Sequence, residues 1–142
     1  MQNVLVPFDG SSSAKRAIQY LVDFSAEYPA IKVHVINVQS EPKLYGNYVS
    51  ASMLEQLHDG ALQHGQDINT DAAAMLEAAN INFETHAVIG EVIGEVVKAV
   101  KQLGCNTVVM GTRGMSNLGN LVMGSVATRI VHEVPVPVLL IK

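Results

Sequence analysis

The sequence predicts a single α/β domain, in which a parallel sheet of five strands is covered by helices on both faces. Short runs rich in valine and isoleucine recur along the chain, and segments with helical apolar spacing lie between them. This alternation of strands and helices is typical of parallel sheets with right-handed crossovers. The length of 142 residues suits one domain with a real core and not two. Residues 1–142 are therefore treated as one domain.

Five apolar runs supply the predicted strands, and their composition is typical of strands that helices cover on both faces. They are residues 3–8, 32–38, 82–89, 107–110 and 136–141. Proline cannot donate a hydrogen bond to a neighbouring strand, so Pro135 and Pro137 favour an edge strand for the fifth run. Because an open apolar edge invites association, we expect the segment from Val136 to Ile141 to pair across a homodimer axis.

The helices are predicted from apolar spacing and from their end signals. Apolar residues recur at helical spacing over residues 14–22, and the serines at positions 11–13 offer N-caps before them. Similar stripes follow the third and fourth strands, and Gly104 is the predicted C-cap of the earlier one. A longer helix is predicted to end near Asn80.

Two glycines, Gly60 and Gly65, are predicted weak points of that long helix. Before it lies an aperiodic stretch, residues 40–50, that is long for a loop in a compact domain. Its Tyr45 and Tyr48 have two open interpretations, a lid over a ligand and exposed loop tyrosines.

Composition and charge exclude several classes of protein. The net charge is −4, and nine Lys and Arg residues are scattered without a basic cluster, which argues against nucleic-acid binding. The single cysteine, Cys105, cannot form an internal disulfide, and we interpret it as a packed side chain rather than a reactive thiol. No apolar stretch approaches the roughly 20 residues of a membrane span, and no secretory signal opens the chain. We expect a cytoplasmic protein with no membrane contact.

A glycine-rich segment, residues 111–125, follows the fourth strand. Parallel α/β sheets bind ligands at the carboxyl ends of their strands, where the strand order reverses. Glycines let backbone N–H groups approach an anion, and the next helix adds its positive end. The spacing from Gly114 to Gly119 imitates a Walker loop, but Asn120 and Leu121 stand where lysine and serine or threonine are required. P-loop chemistry is therefore excluded.

The glycines fit a different pattern. Gly111 and Gly114 are separated by two residues, and Gly124-Ser125 follows nine residues later. With this G-2x-G-9x-G-(S/T) spacing, the opening VLVPFDGSSSAKRA and the closing VPVLLIK, the chain resembles the ATP-binding branch of the universal stress protein family over its whole length. The resemblance implies a Rossmann-like, adenine-nucleotide-hydrolase-like sheet with strand order 3-2-1-4-5, and dimers formed through strand 5.

The resemblance also implies a set of nucleotide-binding residues. Asp9 would bind ribose or adenine, the backbone of Val38 would pair with the adenine edge, and the glycines would let backbone approach ribose and phosphates. The predicted residues are Pro7, Phe8, Asp9, Val38, Met110, Gly111, Arg113, Gly114, Gly124, Ser125 and Val126. From chemistry alone, a carboxylate repels phosphate and accepts hydroxyl or amino protons, which also assigns Asp9 to the sugar or base. The alternative for Asp9 is a turn and a cap of the first helix.

Metal ions are expected only through the nucleotide. Arg113 is the one cation of the glycine segment, so we expect Mg²⁺ or Mn²⁺ to accompany a triphosphate through phosphate oxygens and water. The five histidines show no ligand spacing, and we assign them structural or surface roles. They are His34, His58, His64, His86 and His132.

The predicted function is that of an ATP-binding stress or signalling protein that binds ATP, ADP or AMP with little or no catalysis. A slow ATPase or phosphotransferase is the alternative, and Arg113, Ser116 and Ser125 are the nearest candidates to assist phosphoryl transfer. An adaptor with an empty site is disfavoured, because the glycine set is intact.

Overall fold

The computed structural model describes residues 1–42, 50–113 and 123–142. Within these ranges, strands and helices alternate as predicted. The strands are β1 (Asn3–Pro7), β2 (Lys32–Gln39), β3 (Asn82–Ile89), β4 (Thr107–Gly111) and β5 (Val138–Ile141), and the helices are α1 (Ser12–Ser25), α2 (Ala51–Ala78), α3 (Val92–Leu103) and α4 (Ser125–Glu133). The alternative roles of Tyr45 and Tyr48 lie outside the described residues.

The five strands form one parallel sheet in the order β3-β2-β1-β4-β5. The expected strand order is confirmed. The chain winds outward from β1 to β3 and then returns to place β4 on the other side of β1, so the connections leaving β1 and β4 diverge at their carboxyl ends. This reversal opens a crevice at that edge of the sheet. β5 is an edge strand, as the prolines predict.

The hydrophobic core lies on both faces of the sheet. Successive strand residues alternate between faces, so Val4 and Val6 pack with α1 and α2 while Leu5 packs with α3 and α4. Cys105 is buried in the second of these layers, and burial raises the pKa of its thiol to about 11. The interpretation of Cys105 as a packed side chain is confirmed. Among the described helices, none has both the length and the apolar character needed to cross a membrane.

Two helix ends fall at predicted capping residues, Ser11 and Gly104, and Ser50 and Glu91 are caps that the sequence analysis did not name. Ser11 caps α1, where its Oγ accepts a hydrogen bond from the Ala14 N–H at 3.1 Å. Ser50 caps α2 in the same way, and Glu91 caps α3 through its carboxylate. Gly104 ends α3 in the left-handed region, with φ of 65° and its N–H donated to the Val100 carbonyl. These caps fix where each helix begins relative to the sheet.

The two glycines of α2 have different surroundings, although the helix runs without a break for 28 residues. A Cβ at Gly60 would meet nothing within 4 Å. At Gly65, a Cβ would lie 2.9 Å from Asn37 Oδ1 and 3.2 Å from Ala87 Cβ. Gly65 therefore permits the close approach of α2 to the sheet, and the predicted weak points do not interrupt the helix.

Alanine at these two positions is expected to change stability in opposite directions. Gly60→Ala should raise the free energy of unfolding by about 0.5–1 kcal/mol, because alanine restricts the unfolded chain. Gly65→Ala should lower it by about 1–2 kcal/mol, since Asn37 is held by hydrogen bonds to Phe8 and Gln39 and cannot move aside freely. Urea denaturation of both variants tests this, and stabilisation by Gly65→Ala would contradict the close contact.

Candidate functional site

A cavity of about 270 Å³ lies at the carboxyl ends of β1, β2 and β4. It is lined by every predicted site residue that the structure describes: Pro7, Phe8, Asp9, Val38, Met110, Gly111, Arg113, Gly124, Ser125 and Val126. The remaining predicted residue, Gly114, lies outside the described residues. The structure thus brings together residues from the ends of β1, β2 and β4 and from the start of α4.

One wall of the cavity is apolar, and of its residues Met110 was predicted, whereas Ile36, Val92 and Val96 were missed by sequence reasoning. Met110 and Ile36 are buried to within a few per cent of their surface and face this space together with Val92 and Val96. The apolar stripe of α3 was the available signal, because its first turn reaches past the ends of the strands. An apolar slot of this kind suits a flat aromatic ring.

The backbone of Val38 faces the cavity on the β1 side, where it has no strand partner among the described residues. Along a parallel strand, successive residues direct their N–H and C=O groups alternately to the two sides. The Ile36 carbonyl accepts the Phe8 N–H at 2.9 Å, so Ile36 and, two residues later, Val38 face the β1 side. β1 ends at Pro7, the partner of Ile36 in the register. The N–H and C=O of Val38 therefore point into the space beyond the end of β1.

The carboxylate of Asp9 takes part in a turn. Its Oδ1 accepts the Ser11 N–H at 2.9 Å, and Gly10 follows with φ of 80°. No hydrogen bond from the described residues reaches Oδ2. The turn interpretation thus accounts for one carboxylate oxygen, while the helix cap itself belongs to Ser11.

The structure gives Gly111 a packing reason that the sequence analysis did not foresee. A Cβ at this position would collide with Ser13 Oγ and would lie 2.7 Å from the Ser13 carbonyl carbon and oxygen. Ser13 Oγ also accepts the Arg113 N–H at 3.2 Å. The missing side chain of Gly111 therefore accommodates the start of α1, in addition to any ligand.

The N-terminus of α4 lies at the cavity without a side-chain cap. Its N-cap is Gly124, whereas the N-caps of α1, α2 and α3 each accept a hydrogen bond through their side chains. The Gly124 N–H donates to the Thr112 carbonyl at 2.7 Å, which ties this helix start to the end of β4. The first N–H groups of a helix have no partner within the helix, so Ser125 and Val126 present backbone donors and a positive dipole end.

A second cavity of about 260 Å³ adjoins the first and shares Ser125 and Val126 with it. At its wall, Arg129 Nη1 lies 3.2 Å from Glu91 Oε1. A backbone hydrogen bond from Gly94 is the main cause that holds the pKa of Glu91 below its ordinary value. Sequence reasoning overlooked Arg129 as a nearby cation, although its position four residues after Ser125 places both on one helix face.

The fold and this cavity define a doubly wound α/β protein with a cavity where the strand order reverses, the place where such sheets bind their ligands. The model of the universal stress protein family matches residues 1–142, and the chain belongs to this family. Universal stress protein MJ0531 of Methanocaldococcus jannaschii is 26% identical over 141 residues, covering 99% of this chain and 82% of that protein.

Solved structures of similar proteins share the fold. MJ0577 of the same organism superposes with a TM-score of 0.86 at 23% identity, covering 99% of this chain and 95% of the other. A family member from Arabidopsis thaliana with AMP bound gives 0.71 at 18% identity, with 100% and 92% covered. A universal stress protein in complex with cAMP gives 0.70 at 20% identity, with 99% and 96% covered.

Proposed function

We propose that the protein binds an adenine nucleotide in the cavity at the carboxyl edge of its sheet, and that it acts by binding rather than by turnover. The observation that carries the proposal is the two-ended character of this cavity. At one end, an apolar slot lies beside the backbone of Val38, which has no strand partner on the β1 side. At the other end, on the β4 side, lies the N-terminus of α4, which has no side-chain cap. An adenine nucleotide complements both ends, because its base suits the apolar slot and its phosphates suit the helix N-terminus, with the sugar between them.

The base and sugar are assigned to the ends of β1 and β2. The adenine ring fits between apolar side chains such as Ile36 and Met110. Its edge carries a ring-nitrogen acceptor and an amino donor, which complement the N–H and C=O of Val38. The free Oδ2 of Asp9 suits a ribose hydroxyl as donor. These assignments use groups that have no protein partner among the described residues.

The phosphates are assigned to the N-terminus of α4. Backbone N–H groups of Ser125 and Val126 would donate to phosphate oxygens, and Arg113 and Arg129 supply nearby positive charge. A triphosphate carries about four negative charges, whereas a helix N-terminus contributes only about half a positive charge. Arg129 is already paired with Glu91. We therefore propose that Mg²⁺ or Mn²⁺ accompanies ATP and is held mainly by phosphate and water.

Two observations support the choice of nucleotide: the ligands of two relatives and the glycine spacing of this sequence. The AMP and cAMP of the two relatives named above share an adenosine with a phosphate on its 5′ oxygen, which favours an adenine nucleotide in general. ATP in particular is favoured by the glycine spacing of the sequence, part of which lies outside the described residues.

Calorimetric titration of the tag-free protein with ATP tests the proposal, once in Mg²⁺ and once in excess chelator. We expect one site per chain, and at least about tenfold weaker binding with the chelator, which corresponds to about 1.4 kcal/mol. GTP is the matched control for recognition of the base. Mass spectrometry of small molecules released from the purified protein identifies a resident ligand. Failure to bind any of ATP, ADP and AMP would overturn the proposed nucleotide-binding function. Equal affinity for ATP with and without chelator would overturn only the proposal that a metal ion accompanies ATP.

The slow-ATPase alternative needs a group that orients the attacking water. Among the described lining residues of the main cavity, Asp9 is the one carboxylate, and we assign it to the ribose. A single-turnover hydrolysis rate near 1 per second, a typical enzymatic rate, would favour the alternative.

We also propose that two copies of the chain pair through β5. This strand lies at the edge of the sheet, and each of its four residues remains partly exposed. Pairing would cover its open backbone edge. Sedimentation analysis tests the pairing, and a monomer mass at micromolar concentration would contradict it.

A further inference from the structure

Two histidines and a glutamate converge on the sheet face that packs against α3 and α4, away from the nucleotide site. His34 lies on β2 and pairs in the register with Glu84 of β3, and His86 follows Glu84 by two residues. Residues two apart on a strand share one face, so the three side chains stand together. The sequence separation of 52 residues between the histidines hides this arrangement from any search for local ligand spacing.

The distances within this cluster are close to those of a tetrahedral metal site. His34 Nδ1 lies 3.1 Å from His86 Nε2 and 3.4 Å from Glu84 Oε2, and His86 Nε2 lies 3.8 Å from the same oxygen. With bonds of about 2.0–2.2 Å in tetrahedral geometry, two ligand atoms of Zn²⁺ are about 3.3–3.6 Å apart. One side of the triangle, at 3.4 Å, lies within this range, and the sides of 3.1 Å and 3.8 Å each lie about 0.2 Å outside it, so small side-chain shifts would let the three atoms surround one ion.

A hydrogen-bond network explains this triangle less well than a cation does. Two imidazole nitrogens 3.1 Å apart need one ring to donate and the other to accept. One proton bridges one pair of atoms, and the carboxylate oxygen then approaches both nitrogens without a proton between them. A single cation contacts all three atoms at once, because each presents a lone pair.

The surroundings of His34 and Glu84 act on both side chains. His34 is 3% exposed, and burial, reinforced by His86, lowers its pKa. A hydrogen bond from Lys32 lowers the pKa of Glu84. Lys32 Nζ lies 3.3 Å from Glu84 Oε1, which leaves Oε2 to the cluster and orients the carboxylate as an outer partner does in metal sites.

We propose that His34, Glu84 and His86 bind one divalent transition-metal ion, for which Zn²⁺ is the best fit. Two imidazoles and one carboxylate are a ligand set that Zn²⁺ accepts and that Mg²⁺, which prefers oxygen, does not. The side chains of Glu84 and His86 are 51% and 27% exposed, so the fourth coordination position faces solvent and takes water. This ion is distinct from the Mg²⁺ or Mn²⁺ assigned above to the nucleotide.

Zinc titration of the tag-free, nucleotide-free full-length protein tests the site, because a polyhistidine tag would itself bind the metal. We expect one Zn²⁺ per chain in calorimetry and a higher melting temperature in its presence. Glu84→Gln and His86→Gln should each weaken binding by about 100-fold or more, since loss of an outer-sphere partner alone costs 10–100-fold. Both side chains are partly exposed, so the variants are expected to fold, which circular dichroism checks.

His64→Gln is the matched control, because His64 is exposed on α2 and outside the cluster. It should bind Zn²⁺ as the wild type does. Replacing Zn²⁺ by Co²⁺ should give the intense visible absorption of a tetrahedral ion in the wild type and not in the cluster variants. Absence of stoichiometric Zn²⁺ binding, or equal affinity in the wild type and both cluster variants, would overturn the proposal. Neither result depends on nucleotide binding.

Discussion

Gly124→Val is expected to weaken nucleotide binding by about 100-fold or more while leaving the fold intact. Gly124 has φ of −58° and ψ of 154°, a conformation open to any residue, so valine adds no backbone strain. Gly124 lines the cavity and immediately precedes the first N–H groups of α4, so we expect a valine side chain there to compete with the phosphates for space. Losing two hydrogen bonds to charged phosphate, at about 1.5–3 kcal/mol each, accounts for at least this loss.

Gly60→Val is the matched control, because Gly60 does not line the cavity and a Cβ there would meet nothing within 4 Å. It should bind ATP as the wild type does. Sedimentation of Gly124→Val should return the same mass as the wild type, and its urea midpoint should stay close to that of the wild type. Undiminished ATP affinity in a folded Gly124→Val would mean that the phosphates do not bind at the start of α4.

Gly111→Ala is expected to lower the free energy of unfolding by about 2–3 kcal/mol, at the upper end of overpacking effects. The added methyl group would meet the backbone of Ser13 as well as its hydroxyl. Backbone at the start of α1 cannot rotate away, because Ser11 and the first helical hydrogen bonds hold it. Urea denaturation measures the effect.

Two comparisons separate packing from ligand contact at Gly111. Ser13→Ala should not rescue Gly111→Ala, because the clash with backbone atoms persists. Gly60→Ala, the stabilising variant described above, shows what alanine does where space is open. An unfolding free energy for Gly111→Ala equal to that of the wild type would contradict the close contact with Ser13. The glycine would then be explained by ligand contact alone.

Local patterns were sufficient to predict most of the fold. Runs of valine and isoleucine located the strands, and capping residues such as Ser11 and Gly104 located helix ends, because these features depend on neighbours in sequence. The strand order followed from the family resemblance and is confirmed. The last strand was predicted too long, and it begins at Val138, after the prolines, whose missing N–H groups cannot extend the ladder.

Features that depend on strand register were out of reach of the sequence. Asn37 joins β1 to β2 by donating to the Phe8 carbonyl at 2.8 Å, and nothing in its own neighbours indicates this. The cluster of His34, Glu84 and His86 likewise exists only because β2 and β3 align residues 34 and 84. The position of Asp9 at the cavity was predictable, because Asp9 follows the end of β1.

The deep burial of Cys105 limits the ways in which this protein can respond to its environment. With a pKa of about 11, only about one thiol in ten thousand is a thiolate at neutral pH, and the thiolate is the form that reacts with peroxides and electrophiles. Cys105 is also the only cysteine of the chain. In the folded protein, oxidants therefore find no reactive thiol, and the side chains open to direct oxidation are exposed methionines such as Met53.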